Sequence, residues 1–240
     1  MILATDQKRI LESTKKHWVV HVNDPAFRAI FSGKEIGHRI ADHVDEQTTE
    51  VISGILPTAK QVLSTGELMS RSMGDIWVRS KGMFNPLNVK CGIWGKNAKP
   101  NMVALQKLLD SLLTDEIDSY YLLIIKIETL LNATGHKELV PRVFLVDLLE
   151  IIDFLAFDSG PGQLMLKEKK FYDHMESGAP TVSRTIEEKV RLLIALREDG
   201  DRRLTENRSA ALVQTLEAAK RYEDREDHKI IQRELNFDQS

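Results

Sequence analysis

The chain has 240 residues, of which 42% are hydrophobic, with a mean hydropathy of -0.26 and a formal net charge of -3. These values predict an ordinary globular protein with a sizeable core, built as one domain or one domain with an appendage, and no overall attraction to nucleic acid. The single cysteine, Cys91, excludes an intramolecular disulfide and a zinc site made of several cysteines, which favours a reducing, cytoplasmic location. The sequence has no leader pattern and no apolar run approaching about 18 residues, so we expect no membrane span.

The beginning of the chain is predicted to be helical. A first helix covers residues 5–17, with Thr5 or Asp6 as its N-cap. A second, more strongly amphipathic helix covers residues 34–52. One of its faces carries Ile36, Ile40 and Val44 at every fourth position, and another carries Glu35, Asp42, Glu46 and Glu50.

The middle of the chain is predicted to contain the sheet. Strands at 75–79 and 87–91 are separated by a Gly/Pro/Asn turn, which indicates an antiparallel hairpin. A polar loop and a helix at about 102–114 follow. The nearly continuous apolar run at 119–128 is typical of a strand buried on both faces.

The rest of the chain is predicted to contain further strands and then helices. We predict a strand at 143–149, a turn at the GPG of 160–162, and helices from Thr185, broken near Gly200, to about Tyr222. The fold class is therefore predicted as α/β, with a central mixed β-sheet flanked by helices. Residues 1–224 would be a single domain with N-terminal helices and a C-terminal helical part, and 225–240 a charged, flexible tail.

Three polar groups in the hairpin MGDIWVRSKGMFNPLNVKCG, residues 73–92, are candidates for catalysis. Side chains two apart on a strand share a face, so Asn88 and Lys90 point away from the apolar face of their strand. Asp75 opens the neighbouring strand, so all three side chains can meet at one end of the hairpin. A carboxylate, a second oxygen ligand and a lysine suit the Mg²⁺-dependent hydrolysis of a phosphodiester. Lysine can orient or deprotonate the attacking water.

Local charge agrees with an anion-binding role for this region. Between residues 66 and 100 the anions are only Glu67 and Asp75. The cations of the same segment are Arg71, Arg79, Lys81, Lys90, Lys96 and Lys99. A net positive segment within a net negative chain favours a local site for phosphate, or else a solvated face.

An Asp followed on the next strand by an acid-x-Lys motif resembles the PD-(D/E)XK nuclease superfamily, here Gly74-Asp75 and then Asn88-Val89-Lys90. The order of the 33–46 helix, the hairpin, the KNAKPN loop at 96–101 and the apolar strand at 120–127 resembles the type II restriction endonucleases. It is most similar to the blunt-cutting group that includes EcoRV, HincII and SwaI. The RTIEE segment at 184–188 resembles the same group, and the likeness spans about residues 33 to 195.

This resemblance implies a restriction-endonuclease-like fold in which residues 1–224 are the nuclease domain. Asp75 would be a metal ligand, and Lys90 would lie beside the nucleophilic water. Family members bring an acid from the preceding helix toward the metal, for which Asp42 and Glu46 are the candidates. The enzyme would be a homodimer that cuts double-stranded DNA at a short palindromic site, leaving 5′-phosphate and 3′-hydroxyl ends.

Asn88 departs from the family pattern, in which this second metal ligand is Asp or Glu. An amide oxygen can bind Mg²⁺ but brings no charge, so it should bind the ion more weakly. Three explanations stay open: a natural ligand compensated by an acid from elsewhere, an engineered replacement of an acid, or a nuclease that has lost its activity.

Other polar residues are predicted to contact DNA. The loop after the catalytic strand and the segment before Asp75 can bind phosphate or read base edges, and the GPG turn can bring an amide to DNA. These candidates are Arg71, Ser72, Lys96, Asn97, Lys99, Asn101 and Gln163. Among the seven histidines, His38 and His43 lie on one predicted helix, but their spacing of five does not place them on one face, so the sequence predicts no histidine pair for a metal.

The sequence thus predicts a Mg²⁺-dependent type II site-specific deoxyribonuclease. The alternatives are a structure-specific or repair-specific nuclease on the same fold, and a catalytically silent module that binds DNA or protein. The recognition sequence and the geometry of the cut are not encoded in any motif that we can interpret.

Overall fold

The computed structural model describes residues 1–32, 36–56, 59–61, 73–80, 83–93, 101–132 and 134–237. The chain divides into two compact units, Met1–Arg197 and Glu198–Ser240. The helices are α1 (Ala4–His21), α2 (Pro25–Ser32), α3 (Ile36–Ile55), α4 (Leu105–Leu113), α5 (Glu168–Ser177) and α6 (Ile186–Phe237). The strands are β1 (Ala59–Gln61), β2 (Ile76–Ser80), β3 (Met83–Ile93), β4 (Asn101–Ala104), β5 (Tyr121–Leu131), β6 (Lys137–Asp147), β7 (Leu155–Asp158) and β8 (Gln163–Leu166).

The main sheet has five strands in the order β1-β2-β3-β5-β6. All of its pairs are antiparallel except β3 with β5, so the sheet is mixed. Parallel neighbours require a crossover connection, and α4 lies on the chain between these two strands. The predicted α/β class with a central mixed sheet is confirmed.

The predicted hairpin is confirmed, but its second strand is longer than expected. Strand β3 already begins at Met83 and includes Pro86, which the sequence placed in the turn. Pairing with β5 starts only at Leu87, so the residues before it pair with β2 alone. Proline has no backbone N–H to donate. Pro86 is tolerated because no second strand pairs with β3 at this position.

Two apolar cores cover the opposite faces of this sheet. Alternate residues of β5 enter different cores, as expected for a strand buried on both sides. Tyr121, Leu123, Ile125 and Ile127 pack with α1 and α3, whereas Leu122 and Ile124 pack with α4 and α5. Trp18 fixes α1 to α3 by donating its indole N–H to the Thr48 hydroxyl at 3.0 Å.

A second sheet of three strands has the order β4-β8-β7. The predicted turn at GPG joins β7 to β8, and Gly162 adopts a φ of +70° that favours glycine. The helix predicted at 102–114 is partly wrong, because residues up to Ala104 pair with β8 and the helix begins at Leu105. Helices α2 and α5 and strand β1 were not predicted.

The last helix begins with a capping box. The N–H of Thr185 donates to the Glu188 carboxylate at 2.8 Å, and the N–H of Glu188 donates to the Thr185 hydroxyl at 3.3 Å. The predicted break near Gly200 is wrong, since α6 runs continuously to Phe237. Ion pairs of Arg202 and Arg203 with Asp199 support the helix around this glycine, which costs about 1 kcal/mol in a helix interior. Among the helices of the described ranges, none has the length and apolar character needed to cross a membrane.

A buried ion-pair network joins β5 to β6. Lys126, only 2% exposed, lies 2.8 Å from one carboxylate oxygen of Glu128, and its ammonium is 4.0 Å from the centre of the Tyr172 ring. The other oxygen of Glu128 lies 2.9 Å from Arg142, which also pairs with the exposed Glu176. Lys126 and Glu128 of β5 are therefore shielded from water, whereas Arg142, which links them to β6 and α5, is partly exposed.

We predict that Glu128→Gln lowers the free energy of unfolding by about 3 to 5 kcal/mol, because it leaves the buried Lys126 charge without its carboxylate. Glu176→Gln is the matched control: it removes a solvent-exposed partner of the same Arg142 and should cost less than about 1 kcal/mol. Urea unfolding measures both. Equal losses in the two variants would contradict the burial argument.

A second buried carboxylate predicts pH-dependent stability. Burial raises the pKa of Asp147 from 3.8 to about 6, although hydrogen bonds from the N–H groups of Leu149 and Tyr120 and the charge of Lys189 oppose the shift. A pKa raised in the folded state means that ionisation destabilises the fold as pH rises through the window from about 4 to about 6.

Asp147→Asn keeps an oxygen for both N–H donors but cannot ionise. Relative to the parent, the variant should therefore gain up to about 2 to 3 kcal/mol of stability as pH rises from 4 to 7. Chemical denaturation at several pH values measures this difference. A difference that does not change with pH would contradict the assignment.

Candidate functional site

The start of the hairpin is fixed by a close backbone approach and by one carboxylate. A Cβ atom on Gly74 would lie 3.0 Å from the N and O atoms of Leu87, so only glycine fits without a shift. The next residue, Asp75, accepts a hydrogen bond from the N–H of Val89 at 2.7 Å. The carboxylate is therefore held against β3, beside the predicted catalytic residues on that strand.

Asn88 is buried, with 7% of its surface exposed. Its Nδ2 donates to the backbone carbonyl of Met102 at 3.2 Å and to the Tyr120 hydroxyl at 2.9 Å. The Tyr120 hydroxyl in turn donates to the carbonyl of Met73, and burial raises the pKa of Tyr120 so that the proton is retained. Tyr120 thus joins the two predicted catalytic segments of the hairpin.

The Oδ1 atom of Asn88 is buried and finds no hydrogen-bond partner among the described residues. Both hydrogens of the amide nitrogen are donated, one to Met102 and one to Tyr120, and these two hydrogen bonds fix the orientation of the side chain. An unpaired buried carbonyl oxygen costs free energy and requires an explanation, such as a bound ion or water.

Lys90 is half-buried and follows Asn88 by two positions on β3, so its register places it on the same side of the strand. The charge of Lys90 interacts with Asp45, an acid that the sequence analysis does not name. Burial, together with the charges of Asp75 and Asp42, raises the pKa of Asp45 to about 7, although the charge of Lys90 opposes the shift. Asp45 on α3 is therefore within electrostatic range of Asp75 and Lys90.

The predicted helix acids occupy different positions. Asp42 and Glu46 are exposed, whereas Asp45 is half-buried. At about 100° per residue, position 45 lies between Ile52 and Thr49 around the helix, and both of these are buried. The buried face of α3 includes the polar residue Thr49, so the pattern of apolar residues underestimates the width of this face. For that reason the sequence does not indicate that Asp45 is partly buried.

The predicted DNA contacts are only partly within the described ranges. Arg71, Ser72, Lys96, Asn97 and Lys99 lie outside them. Asn101 is the first residue of β4, opposite Met165 of β8. Gln163 starts β8 and is half-buried, and its buried Oε1 has no hydrogen-bond partner within the part of the chain that the structure describes.

The donor atoms near the hairpin suit a hard cation. Asp75 and Asp45 offer carboxylate oxygens, and Asn88 offers an amide oxygen with no other partner among the described residues. Oxygen ligands with remaining water are what Mg²⁺ prefers. Within the described ranges, no three His, Cys, Asp or Glu side chains lie close enough to hold a metal ion.

Comparisons with known proteins leave the family of this chain open. No protein-family model matches the sequence, and no curated protein matches it significantly.

Proposed function

We propose that the protein is a Mg²⁺-dependent DNA endonuclease, a type II restriction enzyme with a restriction-endonuclease-like fold. The observation that carries the proposal is the juxtaposition of Asp75 and Asn88 across the β2-β3 hairpin, with Lys90 on the same strand and Asp45 within electrostatic range. A carboxylate, an amide oxygen and a lysine held together at a hairpin suit phosphodiester hydrolysis better than any other chemistry that these side chains offer.

The order of elements supports the proposal. Helix α3, the hairpin, helix α4 and the buried strand β5 follow one another as in the enzymes that the sequence resembles. The two flanking helices pack in cores on opposite faces of the sheet, so the hairpin lies between them. The order of elements supports only the fold. The proposed hydrolysis depends on the side chains at the hairpin.

The metal would be held by oxygen atoms of Asp75 and Asn88, and Asp45, which interacts electrostatically with Asp75, would supply the negative charge that an asparagine lacks. When bound, Mg²⁺ would lower the pKa of a coordinated water and offset the charge that develops on the phosphate. Lys90 would hold the attacking water in line with phosphorus. The water oxygen would form the new P–O bond as its proton passes to Lys90 or to solvent, and the bond to the 3′ oxygen would break. Solvent would protonate that leaving oxygen, so the products would be a 5′-phosphate and a 3′-hydroxyl.

The substrate and the partner follow from the same proposal. Double-stranded DNA with a short palindromic site would be cut by a homodimer, because a two-fold site requires two copies of the hairpin. The mass of the native protein with and without DNA tests this oligomeric state.

Plasmid digestion tests the function. Discrete bands in Mg²⁺, and none when Ca²⁺ replaces it, would support a restriction enzyme. Smears, or preferential cutting of branched substrates, would instead indicate a structure-specific or repair-specific nuclease of the same fold. An intact plasmid in Mg²⁺ on a wide range of sequences would contradict the nuclease proposal.

One observation favours a second candidate, a catalytically silent DNA-binding or protein-binding module. Asn88 uses both amide hydrogens for structural hydrogen bonds, as a residue retained for the fold would do. DNA retained in a gel-shift assay without any cleavage in Mg²⁺ would support this module over the enzyme.

A further inference from the structure

The second compact unit, Glu198–Ser240, is described as a single helix, the later part of α6. Between positions 201 and 222 the side chains are exposed, apart from the partly exposed Leu204. A helix in water is only marginally stable without an apolar partner, and one that is exposed all round needs support from ion pairs or from another helix. Within positions 201–222 this unit therefore has no hydrophobic core of its own.

A row of apolar and small side chains on this helix follows the pattern of a coiled coil. Leu212 and Leu216 are one turn apart, and both are more than half exposed. Ser209 lies three positions before the pair and Ala219 three positions after it. This spacing is that of the a and d positions of a heptad, which form the contact between two supercoiled helices. We call this exposed row of four residues the α6 seam.

The α6 seam matches a second copy of itself when the two helices run in opposite directions. In antiparallel coiled coils an a residue of one helix packs beside a d residue of the other. Leu212 of each copy then faces Leu216 of the other, and Ser209 faces Ala219. Large side chains meet in the centre and small ones at both ends, so the seam closes without a clash between bulky residues.

The residues that flank the α6 seam are complementary in this antiparallel register. Glu206 of one copy lies beside Lys220 of the other, and Arg208 lies beside the exposed ring of Tyr222. The first contact pairs opposite charges, and the second places a guanidinium at an aromatic ring. Two-fold symmetry repeats both contacts, so each end of the seam receives one of each.

A parallel arrangement of the same two helices is less favourable. Parallel helices in register bring each g residue beside the e residue that lies five positions later in the other copy. Asp201 would then lie beside Glu206, which is a contact between like charges, and Arg208 would lie beside Val213. Among positions 201–222, no such pair combines opposite charges. Charge complementarity therefore selects the antiparallel arrangement.

We propose that the α6 seam is a homodimerisation surface, on which a second copy of this chain docks as an antiparallel coiled coil over residues 206–222. Dimerisation removes Leu212 and Leu216 of both copies from water, which is the main driving force. The same surface is used by both copies, so two chains close the interface. The unit carries none of the hairpin residues, so this dimer forms without DNA and does not depend on the proposed nuclease activity.

Sedimentation equilibrium of the full chain, without DNA or Mg²⁺, tests the proposal. We expect the parent to reach twice the chain mass of 27.3 kDa as its concentration rises. Leu216→Lys places a charge in the seam of both copies and should raise the dissociation constant at least about tenfold. Leu216 is exposed in the single chain, so this substitution leaves the fold intact. Gln214→Lys adds the same charge on the opposite face of the helix and is the matched control, which should dimerise as the parent does.

A charge exchange tests the antiparallel register. Glu206→Lys alone and Lys220→Glu alone each create two like-charge contacts and should weaken the dimer about fivefold. The double variant restores opposite charges across the interface, so its dissociation constant should return close to that of the parent. This recovery is expected only when position 206 of one copy meets position 220 of the other.

Three results would overturn the proposal. The first is a parent chain that stays monomeric at the highest concentration at which it remains dissolved, which would leave the seam to a different partner. The second is a dimer that Leu216→Lys does not weaken. The third is a double variant that dimerises no better than the single ones. Failure of the nuclease proposal would leave these measurements unchanged, because none of them uses DNA or Mg²⁺.

Discussion

Lys90→Ala should reduce DNA cleavage in Mg²⁺ at least about a hundredfold while leaving DNA binding nearly unchanged. Positioned acid–base groups contribute about this much or more to hydrolytic rates. The lysine lies on the strand that carries Asn88, and its charge reaches Asp45. Removing it takes away the ammonium group that would hold the attacking water, while Asp75 and Asn88, which would hold the metal, stay in place. Cleavage rates and gel-shift affinity in Ca²⁺ measure the two parts separately.

Lys107→Ala is the matched control for this variant. Lys107 is an exposed lysine on α4, so it changes the net charge equally and should leave the rate unchanged. A Lys90→Ala protein that cuts as fast as the parent would contradict the site assignment. A fall in DNA affinity equal to the fall in rate would move Lys90 from catalysis to phosphate binding.

Asn88→Asp should preserve or raise the Mg²⁺-dependent rate, and at the same time destabilise the protein in the absence of metal. The carboxylate supplies the charge that an acid has at the matching position of the PD-(D/E)XK motif that the hairpin resembles. A carboxylate cannot donate a hydrogen bond, however, so the Met102 carbonyl loses the donor that Asn88 supplies. The Tyr120 hydroxyl also loses this donor, and it cannot donate to the new carboxylate instead because its proton already goes to the Met73 carbonyl. A buried acceptor without a donor costs about 1 to 3 kcal/mol, which should appear as a lower Tm in EDTA.

Asn85→Asp provides the comparison for Asn88→Asp. Asn85 is an equally buried asparagine of β3 that donates to the Val78 carbonyl at 3.2 Å. Its replacement should also lower Tm, but Mg²⁺ should restore stability only in the Asn88 variant. Equal Tm values with and without Mg²⁺ in both variants would mean that position 88 binds no metal.

The contacts of Asn88 bear on why an asparagine is present there. A carboxylate introduced in the parent environment would face the Met102 carbonyl at the distance where Nδ2 now donates. The environment is therefore built around an amide, which disfavours an engineered replacement of an acid. It favours either a natural ligand or a residue kept for the fold.

The hairpin could be predicted from sequence because its signals are local. Alternation on β3, the turn residues and the glycine before Asp75 all lie within twenty residues of one another. The buried strand β5 was equally readable from its apolar run. These features specify where Asp75, Asn88 and Lys90 lie relative to one another.

Other features depend on contacts between distant segments, and a single sequence does not reveal them. Asp45 approaches the hairpin only because α3 packs on the sheet, and position 45 looks like any other acid on a charged helix. Strand β4 exists because β8 pairs with it, although its residues continue an apolar pattern that reads as helix. Lys126 and Glu128 lie within a run that otherwise looks like an apolar strand. The sequence does not show that these two charges are buried and paired with each other.

The hydrogen bonds of Tyr120 with Met73 and Asn88 affect the order in which the chain folds. This tyrosine directly precedes β5 and holds both Met73 and Asn88, so the hairpin alone lacks the clamp that sets its two polar segments together. During synthesis the hairpin leaves the ribosome well before Tyr120 does. A nascent or partly opened chain would therefore carry Asp75 and Asn88 without their alignment. Hydrogen exchange at Val89 should report on the same opening event that releases β5.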